Sequence, residues 1–223
     1  MRIAVAWLNL LIPLLAGAGA YAIAIAQGYE AICNPFWSGC TSISRAARYG
    51  DAIFWFRGLM MPLSCLLAIY WIFQRRWLDQ VCGKRLMHQI ILVLGFTSAL
   101  ALIVYVNFLG SDGEVYRFMR RFGVTVYFGF AMLAQLLSLY SISSSKETNF
   151  RNPNTDSLQD LRRLQLFFVL IQWLLGLASL AVTTFQPDYK YQANNILEWN
   201  FSLAMTAFYG TSAWYWTMQK GRT

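Results

Sequence analysis

Two charged side chains stand inside apolar runs of this chain, Arg57 about one turn into the stretch that starts at Ile53 and Glu198 near the start of the stretch from Ile196. A charge in a hydrocarbon span is costly and faces a partner or a polar cavity. Both lie near the same boundary, so Arg57 is expected to pair with Glu198, with Asp51, Arg120 and Arg121 as members of one outer cluster. Arginines facing outward between helices match a phosphate in geometry and charge, which makes the cluster a candidate headgroup pocket. The bland alternative is an ion pair that snorkels to the interface or sets helix register.

Other chemistry is sparse. Cys33 and Cys40 flank Pro35 and Gly39 and suit a local disulfide if their loop faces an oxidising compartment, whereas Cys65 and Cys82 read as a buried apolar residue and an inner-loop thiol. Ser42 and Ser44 sit near Asp51, but the single histidine, His88, belongs at the opposite face, so no nucleophile–base constellation is visible. The spacing offers no metal site, phosphate-binding glycine loop or haem-type histidine pair, and no cofactor is expected. Tyr209 and Asn107 are polar points suited to hydrogen bonds between helices, and the expectation for an enzyme is more no than yes.

These residues are carried by an unusually apolar chain. Of 223 residues 57% are hydrophobic and only 13% charged, against roughly 25% charged in soluble domains. Lipid must cover most of that surface. Six stretches reach the roughly 20 residues needed to cross a bilayer: Ile3 to Gln27, Ile53 to Phe73, His88 to Leu109, Phe122 to Ser141, Leu164 to Phe185 and Ile196 to Trp216. The fold class is therefore all-α, a polytopic membrane protein with a six-helix transmembrane bundle forming one domain over residues 1–223. The first run continues through Tyr21 to Ala26, past the length of a secretory signal core, and its Ala16-Gly17-Ala18-Gly19-Ala20 segment permits close helix approach. Trp199, Trp214, Tyr215 and Trp216, with Trp71, Phe73 and Trp77, form interfacial belts.

The net charge of +8 is spread over short loops, which argues for topology and lipid contact rather than nucleic acid. Arg2, Arg75, Arg76, Lys84, Arg85, Lys146, Arg151, Arg162, Arg163, Lys220 and Arg222 fall on the side of the termini, against Arg45, Arg48, Arg117, Arg120, Arg121 and Lys190 on the other. The excess places both termini in the cytoplasm. The longest inner loop carries an Asn152-Pro153-Asn154 turn signal and a helix start capped by Asp156 or Ser157, with Asp160 in the first turn.

The segments CNPFWSGCTSISRAARYGDAIFWFRGLMMP, VNFLGSDGEVYRFMRRFG and EWNFSLAMTAFYGTSAWYW occur in that order. With Ser42 and Ser44 before the second span, Arg57 opening it and Glu198-Trp199 opening the last, the chain resembles the FRAG/DRAM/SFK family of polytopic membrane proteins, which includes autophagy modulators and the lipid-remodelling factor of GPI-anchor maturation. The resemblance implies six spans, cytoplasmic termini and a role close to membrane lipids. Several members carry histidines near the start of the fourth span and inside the last, where this chain has Arg120, Arg121 and Phe122, and then Tyr209. Acid–base chemistry assigned to those histidines does not transfer.

Three functions remain open on this reading. The first is a non-enzymatic protein that binds or organises membrane lipid at the outer ends of its helices. The second is an accessory subunit of a larger membrane complex, packed on other membrane proteins. The third is a lipid-remodelling enzyme.

Overall fold

The computed structural model describes residues 1–144, 155–186 and 188–220. The turn expected at Asn152-Pro153-Asn154, the basic residues Lys146, Arg151 and Arg222, and the side chains of Asp156, Ser157 and Lys220 lie outside the described set. Eight helices follow one another: α1 (Arg2–Ala26), α2 (Pro35–Ser38), α3 (Ile43–Ala46), α4 (Ala52–Cys82), α5 (Leu86–Asn107), α6 (Glu114–Ser144), α7 (Thr155–Phe185) and α8 (Lys190–Lys220). The protein is all-α and polytopic.

The long helices match the expected apolar runs but mostly overshoot them. α4 continues past Phe73 to Cys82, and α6 begins at Glu114, well before Phe122. A hydropathy window ends where side chains become polar, whereas a helix ends only where its backbone is capped. For α4 the stop is Gly83, whose φ of 75° suits glycine alone. Cys65, expected to be buried, is instead exposed on α4, on a face left to lipid.

Five helices, α1 and α4 to α7, have the length and apolarity to cross a membrane. α8 has the length but not the apolarity, and its position explains why. Trp199 packs edge-on to Tyr21 and sits over Gly17, Gly210 faces Leu10, and Trp216 lies 5.7 Å from the Arg2 guanidinium. α8 therefore runs antiparallel to α1 along its length; from Trp199 to Trp216 it rises about 25 Å at 1.5 Å per residue. Residues 204 to 213 are almost all buried. A helix surrounded by protein need not be apolar to suit lipid, so it escapes a hydropathy criterion.

Helix packing in lipid relies on close fit and small residues rather than on water exclusion. The Trp71 indole covers Gly95 so closely that any Cβ there would overlap it. Gly123 lets α6 approach the α5 backbone, where a Cβ would meet Tyr105 N at 2.7 Å and Cα at 2.9 Å. At the end holding Arg2, an aromatic cluster joins α4 to α8: Tyr70 meets Tyr209 at 4.8 Å between ring centroids, and Trp77 meets Trp216 at 6.2 Å. Trp71, Trp77, Tyr215 and Trp216 are buried, so these rings form core between helices rather than an interfacial belt. The Ala16 to Ala20 stripe packs as its small residues allow, with Ala16, Gly17 and Ala20 buried.

A pocket at the latch end of the bundle

The loop between α1 and α4 is built as a latch. Asn34 caps α2 by accepting from Phe36 N–H at 3.1 Å, Pro35 supplies the first helical φ, and Gly39 at φ 62° ends the turn. Cys33 and Cys40 are joined by a disulfide across this turn. Tyr21 Oη accepts from Cys33 N–H at 2.9 Å. α8 then reads the latch backbone: Gln192, Asn195, Trp199 and Asn200 donate to the carbonyls of Ser38, Gly39, Thr41 and Phe36 at 2.8 to 3.1 Å. Trp199 is thus a buried clamp on the latch, not an interfacial anchor.

The latch delivers Ser44 to Glu198. Ser42 caps α3, its Oγ accepting from Arg45 N–H at 3.1 Å, so Ser42 acts locally. Two residues on, Ser44 donates to Glu198 Oε1 through both its backbone N–H, at 3.0 Å, and its hydroxyl, at 3.1 Å. The same hydroxyl lies 2.8 Å from Tyr105 Oη on α5. A carboxylate held by two donors where three helices meet is fixed in position, and its desolvation is partly offset by those bonds.

Glu198 and Ser44 form the polar end of a cavity of about 380 Å³ between α6, α7 and α8. Its walls are mostly apolar, with Val124 and Phe128 from α6, Leu175 and Gly176 from α7, and Phe201 from α8, and they also carry Thr125 and the hydrogen-bonded pair Ser179 and Asn194. The volume falls in the range of small-ligand sites, about 300–1,000 Å³. It lies where α6 packs only loosely on α7 and α8. The combination is a mostly apolar cavity that meets a fixed, hydrogen-bonded carboxyl group.

The remaining candidates divide. Arg57 and Glu198 do not pair: no ion pair joins them, and Arg57 donates to the α5 C-terminal carbonyls, from Nε to Val106 O at 3.3 Å and from Nη2 to Asn107 O at 2.9 Å and Leu109 O at 2.6 Å. Matching depth from the boundary says nothing about azimuth, and orphan carbonyls at a helix end are a strong competing partner for a cation. Asp51 does not join the arginines either; it exchanges two bonds with Gln27, accepting from Nε2 at 2.6 Å and donating its backbone N–H to Oε1 at 3.0 Å. Arg120 and Arg121 stand one helical turn outward of Val124 and Thr125, which line the cavity. Arg48 interacts electrostatically with Glu198, Tyr105 and Arg120. Charge counting puts Arg48 in the outer loop without marking it as a site residue; only the fold brings it to the carboxylate.

At the opposite end the expectation that no nucleophile–base array exists is corrected. His88 Nδ1 lies 2.6 Å from Asp79 Oδ1, and Nε2 lies 2.7 Å from Ser141 Oγ, the order found in serine hydrolases. The three residues come from the ends of α4, α5 and α6, too far apart in sequence to be read as a motif. His88 and Ser141 have no exposed surface. With Arg75 bonded to Asp79 at 3.5 Å, the array ties three helix ends together and presents no nucleophile to a substrate. Between the two ends, Gln172 donates to Gln135 at 2.8 Å, Gln135 donates to Met205 O at 3.1 Å, and Gln165 donates to Ser212 at 3.0 Å. Tyr209, expected to bond between helices, packs its ring on Tyr70 and Trp71. Asn107 supplies a carbonyl to Arg57.

Long apolar helices, a polar latch at one end and glutamines turned inward define an integral, multi-pass membrane protein. No significant match was found among curated proteins or among solved structures. The model of the Frag1/DRAM/Sfk1/Cwh43P N-terminal domain family matches residues 2–217, and the chain belongs to that family.

Proposed function

We propose that this protein binds membrane lipid in the outer cavity between α6, α7 and α8, an acyl chain filling the apolar slot and the headgroup resting at Ser44 and Glu198. The observation that carries the proposal is the cavity itself, mostly apolar along its walls and closed by a fixed carboxylate. In this reading α8 crosses the bilayer as a sixth span. The Arg2 to Trp216 contact keeps both ends of the bundle's chain together, and the excess of Lys and Arg on that side supports reading it as cytoplasmic. In this reading membrane lipid also covers the exposed apolar face of α7 formed by Phe167, Leu170, Leu174 and Leu177.

The test is to fill the slot. A Cβ at Gly176 meets no atom within 4 Å, so Gly176→Leu extends into the cavity rather than into a neighbour. Native mass spectrometry of gently purified protein should show bound lipid on the parent chain and its loss from Gly176→Leu, whose thermal stability should match that of the delipidated parent chain. Equal lipid retention by both proteins would falsify the proposal. A second reading, lipid remodelling by acyl transfer, rests on the Ser44 hydroxyl lying against a carboxylate at the end of the slot. It requires Ser44→Ala to retain lipid and abolish turnover of that lipid.

A further inference from the structure

Beside the cavity, around Ser44 and Glu198, stand charges that do not balance. Among the described residues, the ion pairs are Arg45 with Glu30, Arg75 and His88 with Asp79, and Arg163 with Asp160. None uses Arg48 or Arg120. Both guanidiniums lie within electrostatic range of Tyr105, the ring whose hydroxyl touches Ser44, and of each other, and Arg48 stands 6.0 Å from the centroid of the Tyr49 ring. Arg48 Nε is buried without a hydrogen-bond partner, although guanidiniums seldom leave a buried donor unused. Glu198 is the carboxylate in electrostatic contact with Arg48, and its Oε1 is already occupied by Ser44. Two like charges held near one another beside a single carboxylate leave this region net positive.

Resting on the cavity reading above, we propose that the occupant is a glycerophospholipid with a net negative headgroup, its phosphate bridging Arg48 and Arg120 while one acyl chain enters the slot past Val124. The positions agree with this order along the bundle. Arg120 is one turn outward of Val124, so a phosphate at Arg120 sits at the headgroup end of a chain that runs along α6 toward Phe128. A phosphodiester oxygen supplies the acceptor that Arg48 Nε lacks, and the planar guanidinium fork suits two phosphate oxygens at once. A neutral lipid of the same shape would fill the slot and leave both cations unpaired.

The experiment compares dioleoyl phosphatidylglycerol, dioleoylglycerol and inorganic phosphate as probes of the purified full chain, reading retained lipid by native mass spectrometry and protection by thermal shift. Phosphatidylglycerol should be retained at least tenfold more strongly than dioleoylglycerol, and its retention should fall about tenfold in each of Arg48→Gln and Arg120→Gln, as expected for loss of a charge-assisted hydrogen bond. Retention of dioleoylglycerol should be unchanged by those substitutions, and Gly176→Leu should abolish both. Inorganic phosphate alone should give no protection, because the slot supplies part of the binding; protection by phosphate to the same extent would overturn a lipid as the occupant. Equal retention of the charged and the neutral lipid, with both lost in Gly176→Leu, would sink the phosphate clamp and leave the cavity reading standing. Retention insensitive to Gly176→Leu would sink both. Should an arginine variant fold poorly, the parent chain still decides: raising the ionic strength must weaken phosphatidylglycerol retention and leave dioleoylglycerol retention unaltered.

Discussion

Replacing Arg57 tests whether its role is that of a helix cap or an ion-pair partner. Its guanidinium is not bound to Glu198 and instead donates to three carbonyls at the end of α5, the shortest bond being 2.6 Å to Leu109 O. A hydrogen bond to a charged donor is worth about 1.5–3 kcal/mol, and a cation at a helix C-terminus adds about 0.3–1 kcal/mol. The three bonds share one guanidinium, and the Asn107 carbonyl is open to solvent or headgroups. The sum therefore contracts to about 3 kcal/mol for Arg57→Met, which keeps the aliphatic stem and removes the donors. Arg57→Lys retains the charge but not the fork, and about 1 kcal/mol should return. The measurement is reversible unfolding in mixed detergent micelles, with Glu198→Gln as the second arm of a double-mutant cycle. Because the two side chains share no partner, their effects should add within about 0.5 kcal/mol. A coupling energy above about 1 kcal/mol, or a nearly neutral Arg57→Met, would refute the capping assignment.

Two further outcomes follow from the packing. Gly123→Val drives side-chain atoms into the Tyr105 backbone and should cost about 1–3 kcal/mol in the same unfolding assay, with α5 and α6 the first helices to part; a neutral result would mean that the two helices separate freely. His88→Leu leaves Ser141 buried without its ring partner and should cost about 1–3 kcal/mol. In the native parent chain Ser141 should stay unlabelled by a fluorophosphonate probe, and stoichiometric labelling would show that the array is a reachable nucleophile rather than a tie.

Helix existence was legible because each apolar run is long; helix ends were not, because hydropathy stops at the first charges while the backbone of α4 runs on through Arg75 and Arg76 to Gly83. That Ser44 and Glu198 lie at the same end of the bundle was legible too, and so was the Cys33–Cys40 staple. Their partners were not. Depth along a helix is a one-dimensional quantity, and Arg57 and Glu198 share it, yet pairing also needs a common azimuth, which depends on how α4 and α8 are rotated about their axes. The same limit hid Asp79, His88 and Ser141. Gln135, Gln165 and Gln172 did offer a signal, since a primary amide inside an apolar run must bond to a neighbouring helix, and Gln165 and Gln172 are two turns apart on one face of α7.

α8 shows why the polar residues of this chain should be read as an internal scaffold before they are read as chemistry. Its first half spends Gln192, Asn195 and Asn200 on latch carbonyls, and its second half offers Ser212 to Tyr70 and Gln165. Each of these bonds has a donor and an acceptor within the protein, although Gln165 Oε1 keeps no partner of its own. At the cavity, that accounting leaves the Glu198 side chain facing the slot, with Oε1 held by Ser44, and nearby the guanidiniums of Arg48 and Arg120 outside every ion pair among the described residues. In a low-dielectric surround an unpartnered cationic donor is costly, and an anion from outside would supply the acceptor that the buried Arg48 Nε lacks.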